Sequence, residues 1–534
     1  MAQPYDSDEQ SPPSAEEVRR AIEVVEQIAA DRGLLEQVSQ EEMHRLLRAA
    51  EKVALPTRAD RKRLKRAFLK REQAERERQR ETDERQLAQT GIRSENGVRR
   101  RFITAHPPEP FETELPPQIG PADEAPRLEV PRSCYICKRD YDRLHHFYDA
   151  LCPDCAALNW TKRHQSCDLK GRYAMVTGGR VKIGYEAALK LLRAGAHVIV
   201  TTRFPADGAK RFLAEADSGD WQDRLQVHGI DLRHTPSVEA LCEHLLGTLP
   251  RLDFLLNNAC QTVRRPPGFY AHLMDAERDI YGSLPSAGRA MLESHDSLHQ
   301  QSAGRVMGGR VSSEANGPAS APLPAQVQHS LAGIHRAAEL SQLPLVADDH
   351  HNGETLFPTG QYDSDLQQVD LRAINSWRLR LAEVPTVELL EVHLVNAVAP
   401  FILNARLKPL MERVETRDAH IVNVSAMEGV FYRAYKTDKH PHTNMAKAAL
   451  NMLTRTSAQD YAASGIHMNS VDTGWITDED PAAIATRKRE DLGFHPPLDQ
   501  IDAAARICDP IFDGLLTGEH KWGQFLKDYH IANW

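Results

Sequence analysis

One segment of this 534-residue chain, Tyr173–Arg203, constrains its fold more than any other: YAMVTGGRVKIGYEAALKLLRAGAHVIVTTR. An apolar, β-prone run comes first and a glycine-containing turn follows. A helical apolar stripe then ends at Gly195, before a second apolar run. Strand, turn, helix and strand in this order form a βαβ unit. Glycines at its first turn allow the backbone to approach a pyrophosphate at the helix N-terminus. The segment therefore predicts a dinucleotide-binding α/β fold.

Further segments follow this unit in a fixed order. They are GIDL (229–232), LDFLLNNA (252–259), VNAVAPFIL (395–403), HIVNVSAMEG (420–429), HMNSVDTGWIT (467–477) and GQFLKDY (523–529). Each alone is compatible with an ordinary core strand or helix. Together with the glycine turn, they make the chain similar to the short-chain dehydrogenase/reductase family. The resemblance implies a Rossmann-type, doubly wound parallel sheet over residues 168–534 and an oxidoreductase activity.

The resemblance also implies a set of cofactor-binding residues. These are Thr177, Gly178, Gly179, Lys182, Ile183, Gly184, Thr202, Arg203, Asp231, Asn258, Ala259, Lys447 and Gly474. The family's turn reads TGxxxGxG, and Lys182 replaces its middle glycine, as in the pteridine-reductase branch. NAD enzymes place an acid at the end of the second strand, where this chain has Thr202 and Arg203. Because a guanidinium can bind a 2′-phosphate through two hydrogen bonds, we expect NADP(H) as the cofactor.

The catalytic positions depart from the family pattern. The family uses a Tyr as proton donor, a Lys that lowers the pKa of that Tyr, a Ser that holds the carbonyl oxygen, and an Asn in the proton relay. Lys447 and Asn396 match. Ala426 takes the Ser position, with Ser425 one residue before it, and Thr443 takes the Tyr position. A Thr hydroxyl is a much poorer acid than a phenol, whose pKa is about 10.

The loop before the catalytic helix offers a replacement acid. The stretch VFYRAYKTDKHPHT (430–443) is longer than its counterpart in the family and carries Tyr432 and Tyr435. We expect one of these phenols to be the proton donor, with Thr443 or Ser425 orienting substrate or water. His440 and His442 are the next candidates. The alternative is that the loop residues serve only packing and solvation.

Four cysteines form a second motif. Cys134-x-x-Cys137 and Cys152-x-x-Cys155 lie fourteen residues apart, and each pair can bend into a turn that directs two thiolates at one ion. Two such turns complete a tetrahedron, so we expect a structural zinc ion with no open coordination position. A redox dithiol or a disulfide is the alternative.

Composition divides the rest of the chain. We expect an N-terminal helical region with a disordered start (1–104), a Pro-rich linker (105–130), a four-Cys zinc finger (131–167) and the Rossmann domain (168–534). An insertion at about 263–390 separates two family segments. It follows the fourth strand of the domain, so we expect it to form a lid or a docking surface beside the nicotinamide.

Two functions remain open. The first is an NADP(H)-dependent oxidoreductase that acts on an unidentified carbonyl or imine. The second is a non-catalytic NADP(H)-binding sensor or scaffold that binds a protein partner through the finger, the insertion or the N-terminal helices. A nucleic-acid-binding function, based on the finger and the basic helix Arg58–Arg80, is the least supported. The resemblance implies a homo-oligomer.

The bulk composition gives the expected location. The net charge of −9 argues against extensive nucleic-acid binding. No apolar run approaches the ~18 residues that cross a bilayer, and the acidic, polar start lacks signal-peptide features. We therefore expect a cytoplasmic protein without a membrane anchor.

Overall fold

The computed structural model describes residues 13–93, 126–306, 331–350, 353–363, 367–433, 436–477 and 479–534. The chain divides into two compact units, Met1–Glu81 and Thr82–Trp534.

The first unit is helical. Its elements are α1 (Ala15–Ala30), a 3-10 turn (Arg32–Gln37), α2 (Gln40–Ala54) and the first part of α3 (Arg58–Ala88). Both α1 and α2 begin with a capping box, in which Ser14 pairs with Glu17 and Ser39 pairs with Glu42. No residue of α1 or α2 is buried, so their apolar stripes are exposed.

The end of α3 belongs to the second unit. The sequence predicts a helix that ends at Arg80, but the structure continues it to Ala88. Leu87 is buried in an apolar cluster of the second unit, and the Asp83 carboxylate accepts the backbone N–H groups of Glu129 and Val130. Packing within the second unit therefore continues α3 beyond Arg80, where the sequence predicts its end.

The four-Cys region is a small hairpin followed by a helix. Strands β1 (Arg127–Ser133) and β2 (Asp140–Arg143) pair antiparallel, and α4 (Pro153–His164) begins between the second pair of cysteines. Pro153 at the first helical position favours this helix start because its missing N–H would have no partner there.

The core of the second unit is an eight-stranded sheet. Its strands are β3 (Tyr173–Thr177), β4 (His197–Thr202), β5 (Leu225–Gly229), β6 (Phe254–Asn257), β7 (Ala419–Ser425), β8 (Ile466–Asp472), β9 (Phe525–Lys527) and β10 (His530–Ala532). The strand order is β10-β9-β8-β7-β6-β3-β4-β5, with every pair parallel except β10 and β9. The predicted Rossmann-type doubly wound sheet is confirmed. Its strand order reverses between β3 and β6, where such sheets bind ligands.

Besides α3 and α4, the described part of this unit contains nine helices of eight or more residues. They are α5 (Lys182–Arg193), α6 (Pro205–Leu213), α7 (Thr235–Thr248), α8 (Glu293–Val306), α9 (Thr386–His393), α10 (Ala399–Met411), α11 (Pro441–Ala463), α12 (Ala482–Leu492) and α13 (Gln500–Thr517). Buried residues of α5, α6 and α13 form one core, and those of α7, α10 and α11 form the other. A π-helical turn (Leu394–Val398) joins α9 to α10.

One continuous helical stretch, Thr386–Met411, has the length and apolarity of a bilayer-crossing helix. Its apolar side chains Leu403, Leu407 and Leu410 are fully buried in the second core of the sheet. The same composition is typical of a core helix in a globular domain.

The insertion is built from short helices and turns. The helices are Pro267–Tyr270, Met274–Arg278, Ile280–Ser283, Ser286–Ala290, Ala332–His335 and Ala337–Leu340, and the 3-10 turns are Ala271–Leu273, Ala347–His350, Ser376–Arg378 and Leu381–Glu383. An aromatic cluster that includes Phe269, Tyr270 and Phe357 packs against Phe204, which follows β4. The middle of the insertion (301–326) is rich in Gly, Ser, Ala and Pro, a composition that predicts disorder, and most of it lies outside the described residues.

Histidines lie at the contact between α8 and the edge of the sheet, with His228 and His295 buried and His299 and His335 partly buried. His228 of β5 lies 6.0 Å from His295, ring centre to ring centre, and His295 lies 4.3 Å from His299. The next ring, His335, lies 4.6 Å from His299. Burial lowers the pKa of His228 to about 3 and that of His299 to about 4, so these rings are neutral in the folded protein.

We expect the free energy of unfolding to fall as the pH is lowered from 7.5 to 5.5. The pKa values of these histidines are depressed in the folded state, so below about pH 6.5 the unfolded chain binds protons that the folded chain excludes. Each fully buried ring contributes up to about 1.4 kcal/mol per pH unit below 6.5. Denaturant titrations at several pH values measure the slope of the free energy of unfolding against pH. His299→Gln should reduce it and the exposed His530→Gln should not; the same slope in both variants would contradict the explanation.

Candidate cofactor and catalytic site

The glycine turn after β3 is held by the end of β6. The Asn258 side-chain amide donates to the carbonyl oxygens of Thr177 and Gly178 at 3.1 and 3.3 Å, and the Ala259 N–H donates to Thr177 Oγ1 at 3.0 Å. A Cβ on Gly184 would lie 2.3 Å from Asn258 Nδ2. Only glycine allows this close approach, which keeps space free in front of the N-terminus of α5.

Lys182 occupies the position of the family's middle glycine. Its φ of +55° lies in the left-handed region, so the backbone keeps the conformation that a glycine would adopt. The Lys182 ammonium lies 3.9 Å from the Glu479 carboxylate. Burial opposes ionisation of Glu479, yet the nearby Lys182 and Arg265 lower its pKa. The first turn of α5 therefore combines helix-end N–H groups with a cationic side chain.

A cavity of about 350 Å³ extends from this turn along the carboxyl ends of the strands. Nine of the predicted cofactor residues line it: Gly178, Lys182, Ile183, Gly184, Thr202, Arg203, Asp231, Asn258 and Ala259. The other four, Thr177, Gly179, Lys447 and Gly474, do not. A dinucleotide fits the chemistry of this cavity, since the turn offers N–H groups without side chains in front of them.

Arg203, at the end of β4, is fixed by the insertion. Its guanidinium donates to the Tyr270 hydroxyl at 2.7 Å and lies 4.6 Å from the centre of that ring. Burial disfavours the phenolate, but the Arg203 charge outweighs it and lowers the pKa of Tyr270. The neighbouring Arg180 is neutralised by an ion pair of 2.5 Å with Asp207. Arg203 thus brings positive charge to the cavity wall.

Ion pairs connect the insertion to the sheet around Asp231. The Asp231 carboxylate accepts from the backbone N–H and the guanidinium of Arg233, and Arg233 also pairs with Glu391 of α9 at 2.5 Å. Arg264 pairs with Glu391 at 2.9 Å and with Asp349 at 2.5 Å. The insertion therefore forms part of the cavity wall on the side of Asp231 and Arg203.

Ser425 ends β7, Thr443 and Lys447 lie in the first two turns of α11, and Asn396 lies in the π-helical turn before α10. Lys447 is buried, and its ammonium donates to the Val424 carbonyl oxygen at 2.7 Å. Ser425 and Thr443 are both 2% exposed, and their hydroxyl oxygens have no hydrogen-bond partner among the described residues. Asn396 accepts the Gln261 N–H at 2.7 Å. Unpaired buried hydroxyls are unfavourable unless a bound group or water satisfies them.

The predicted replacement acids are less well defined. Tyr432 is 49% exposed, and its hydroxyl lies 3.8 Å from the Met427 sulfur. Tyr435 lies outside the described residues. His440 stacks on Trp377 of the insertion with ring centres 3.8 Å apart.

Next to Thr443 in the sequence, the His442 ring lies close to a buried carboxylate, without a hydrogen bond between them. The Nε2 atom of His442 is 3.4 Å from a carboxylate oxygen of Glu388 on α9. Both side chains are almost fully buried.

The sequence prediction missed the wall residues that the insertion supplies. Arg264, Arg265, Tyr270 and Gln367 line the cavity although they lie far from the family segments. Local patterns could not reveal them, because their role depends on contacts across roughly a hundred residues. Arg180 was detectable, since it lies inside the glycine turn.

The four cysteine sulfurs are close enough to share one ion. They all lie within 4.8 Å of one another, and the Cys137 and Cys152 sulfurs are 3.6 Å apart. A tetrahedral zinc with Zn–S bonds of about 2.3 Å requires sulfur separations of about 3.8 Å. The described cysteines form no disulfide. The geometry therefore fits a closed four-thiolate metal site.

Two family models match the chain. The model described as "short chain dehydrogenase" matches residues 172–315, and the model described as "Enoyl-(Acyl carrier protein) reductase" matches residues 372–499. Both matches fall within the unit that contains the sheet. The stretch between them belongs to the insertion.

Individual proteins are also similar to parts of this chain. "Uncharacterized protein R665" of Acanthamoeba polyphaga mimivirus is 29% identical over 417 residues, which is 75% of each chain. "Dehydrogenase/reductase SDR family member 13" of Bos taurus is 37% identical over 103 residues, 18% of this chain and 27% of that protein. The match thus spans about a quarter of the latter relative. A solved structure of a short-chain dehydrogenase from Burkholderia cenocepacia J2315 in complex with NADP is 16% identical. It covers 67% of this chain and 96% of that chain, with a TM-score of 0.38.

We expect purified protein to contain about one zinc ion per chain, because four thiolates at these separations complete a tetrahedron. Metal analysis after purification under reducing conditions measures the ratio. Cys137→Ser should lower the zinc content, and Cys242→Ser, which changes a buried cysteine outside the cluster, should not. Metal-free protein with four free thiols would contradict the assignment.

Proposed function

Because the chain belongs to the short-chain dehydrogenase/reductase family, we propose that it is an NADP(H)-dependent oxidoreductase with atypical catalytic residues, acting on a carbonyl or imine substrate. The observation that carries the proposal is the continuous cavity from the glycine turn to Arg203 and to residues 476–477. A cavity of this kind suits a dinucleotide with an additional phosphate.

Residues at the two sides of the cavity would bind different parts of the cofactor. The N-terminus of α5 and Lys182 would bind the pyrophosphate, since helix-end N–H groups and an ammonium both attract anions. Arg203 would bind the 2′-phosphate. Its guanidinium is always charged and can form two parallel hydrogen bonds with a phosphate. Thr202 and Arg203 stand where NAD enzymes place an acid, so the end of β4 itself carries no carboxylate that would repel a phosphate.

The residues around Lys447 would handle the proton and the substrate oxygen. When bound, reduced nicotinamide supplies a hydride. The Lys447 ammonium would bind ribose hydroxyls and lower the pKa of a nearby acid by its charge. The free hydroxyls of Ser425 and Thr443 would orient the substrate oxygen or a water molecule. Asn396 would anchor the proton path, as in the family.

The proton donor would come from the loop before α11. Tyr432 and Tyr435 are the candidates, and the phenol must approach the substrate oxygen to about 3 Å. A loop movement on substrate binding would be needed for Tyr432, whose ring is half exposed. His442, whose Nε2 atom lies 3.4 Å from the Glu388 carboxylate, is an alternative donor that is already buried.

A second candidate function is a non-catalytic NADP(H)-binding sensor or scaffold. The observation that favours it is the Thr443 hydroxyl at the family's Tyr position, together with the exposed placement of Tyr432. In that case a protein partner would bind through the finger or the insertion. For both candidates we propose a cytoplasmic homo-oligomer.

NADPH should bind more tightly than NADH. Arg203→Ala should narrow the difference by about 1–3 kcal/mol, the range for a hydrogen bond with a charged group. Calorimetric titration of both cofactors measures it. Arg193→Ala, which removes a half-exposed arginine from the last turn of α5, is the matched control and should leave the difference unchanged. Equal affinities of the unmodified protein for the two cofactors would refute the assignment.

A screen of carbonyl and imine substrates with NADPH should reveal turnover. Lys447→Ala should nearly abolish it, because the cofactor ribose and the acid both lose their charged partner. Among Tyr432→Phe, Tyr435→Phe, Thr443→Val and His442→Gln, we expect one of the Phe variants to cause the largest decrease in kcat. Full activity in both Phe variants would exclude a phenol donor. Tight NADPH binding without turnover of any substrate would favour the sensor or scaffold.

A further inference from the structure

We propose that the four-Cys finger helps to shape the cofactor site. In this inference, Tyr135 and Asn159 of the finger position the 473–477 loop against the cavity, Asn159 through Arg506. The inference rests on the proposed function, because this loop corresponds to the family segment beside the nicotinamide. Ile476 and Thr477 of the loop line the cavity, so its placement determines the shape of that end.

Tyr135 makes the direct contact. It lies in the turn between Cys134 and Cys137, and its hydroxyl oxygen accepts the backbone N–H of Trp475 at 3.0 Å. The turn itself is held by the hydrogen bond from the Cys134 N–H to the Arg139 carbonyl oxygen. The position of the turn between Cys134 and Cys137 therefore determines, through this phenol, where the backbone immediately before Ile476 lies.

Arg506 makes the second connection. This fully buried side chain of α13 donates from Nη1 to the Thr473 carbonyl oxygen at 3.0 Å and from Nη2 to the Asn159 side-chain oxygen of α4 at 2.9 Å. It also pairs with Asp528 at 2.8 Å. A Cβ on Gly474 would lie 2.6 Å from Arg506 Nη1, so the loop backbone lies directly on the guanidinium.

Charged contacts fix the finger to the same helix. Arg163 of α4 binds both oxygens of Asp499 at 2.7 and 2.9 Å and one oxygen of Asp502 at 2.9 Å. The Tyr148 hydroxyl donates to Asp502 at 2.5 Å. Asp499 and Asp502 form the capping box of α13, so the finger is attached at the start of the helix that carries Arg506.

Apolar packing joins the finger to both sides of the cavity. Ile476 of the loop is buried in the cluster that contains Tyr148 and Leu151 of the finger. Ile183, from the first turn of α5, packs against the same cluster. One small domain thus contacts the turn that would bind the pyrophosphate and the loop at the nicotinamide end. Substitutions in the finger should therefore change the affinity for the cofactor, although the substituted residues would not contact it.

The test compares a whole cofactor with its adenosine end. The two probes are NADPH and 2′,5′-ADP, which lacks the nicotinamide half, titrated by calorimetry against the zinc-loaded full chain. Tyr135→Phe should weaken NADPH binding about five- to tenfold, the effect of one lost hydrogen bond, and leave 2′,5′-ADP binding unchanged. Asn159→Ala should act in the same direction.

The matched control is Tyr141→Phe. Tyr141 is a buried finger tyrosine whose hydroxyl donates to the Asp149 carbonyl oxygen within the finger, at 2.7 Å. It should change neither affinity. Unchanged NADPH binding in Tyr135→Phe and Asn159→Ala, equal weakening of both probes, or the same pattern in Tyr141→Phe would overturn the loop-positioning role.

The unmodified protein separates this inference from the function on which it rests. If it binds both probes, the variants decide the role of the finger alone. If it binds 2′,5′-ADP but not NADPH, or binds neither, the proposed function fails and the finger inference fails with it.

Discussion

The hydrogen bonds of the Asn258 side chain hold the site together. Two parallel strands, β3 and β6, end side by side, and the Asn258 amide joins the backbone of the glycine turn to the end of β6. The turn would otherwise be a flexible stretch with unpaired carbonyl groups. This amide also packs directly against Gly184, where a Cβ would lie 2.3 Å from Asn258 Nδ2. This close contact fixes the start of α5 relative to the sheet. The cavity follows from that position.

The sequence predicted the parts of the molecule that depend on short-range patterns. Apolar runs and glycine placement gave the βαβ unit, and Cys spacing gave four sulfurs that lie together. The end of α3 was wrong, since Asp83 and Leu87 are held by partners in the finger region. The insertion was predicted only as a lid or docking surface. Its contribution depends on pairs such as Arg203 with Tyr270, which no local periodicity encodes.

The predicted catalytic positions combine one retained residue with substituted ones. Lys447 keeps a buried position at the end of β7 although the Tyr and Ser positions have changed. The lysine and the backbone around it therefore resemble the family pattern, whereas the side chains proposed to handle the proton differ from it. The hydroxyls of Ser425 and Thr443 are buried without a hydrogen-bond partner among the described residues, and buried unsatisfied groups cost stability. That cost is expected where a ligand completes the hydrogen bonds.

The π-helical turn Leu394–Val398 sets the phase between two helices. An α-helix advances about 100° per residue, so the one additional residue of a π-turn rotates everything before it relative to everything after it. In this phase Glu391 reaches Arg233 and Arg264, Asn396 reaches Gln261, and Leu403 still faces the core. Removing one residue here would restore an ordinary helix and turn Glu391 away from both arginines. The π-turn therefore allows one continuous helical stretch to contact the insertion, the candidate site and the core.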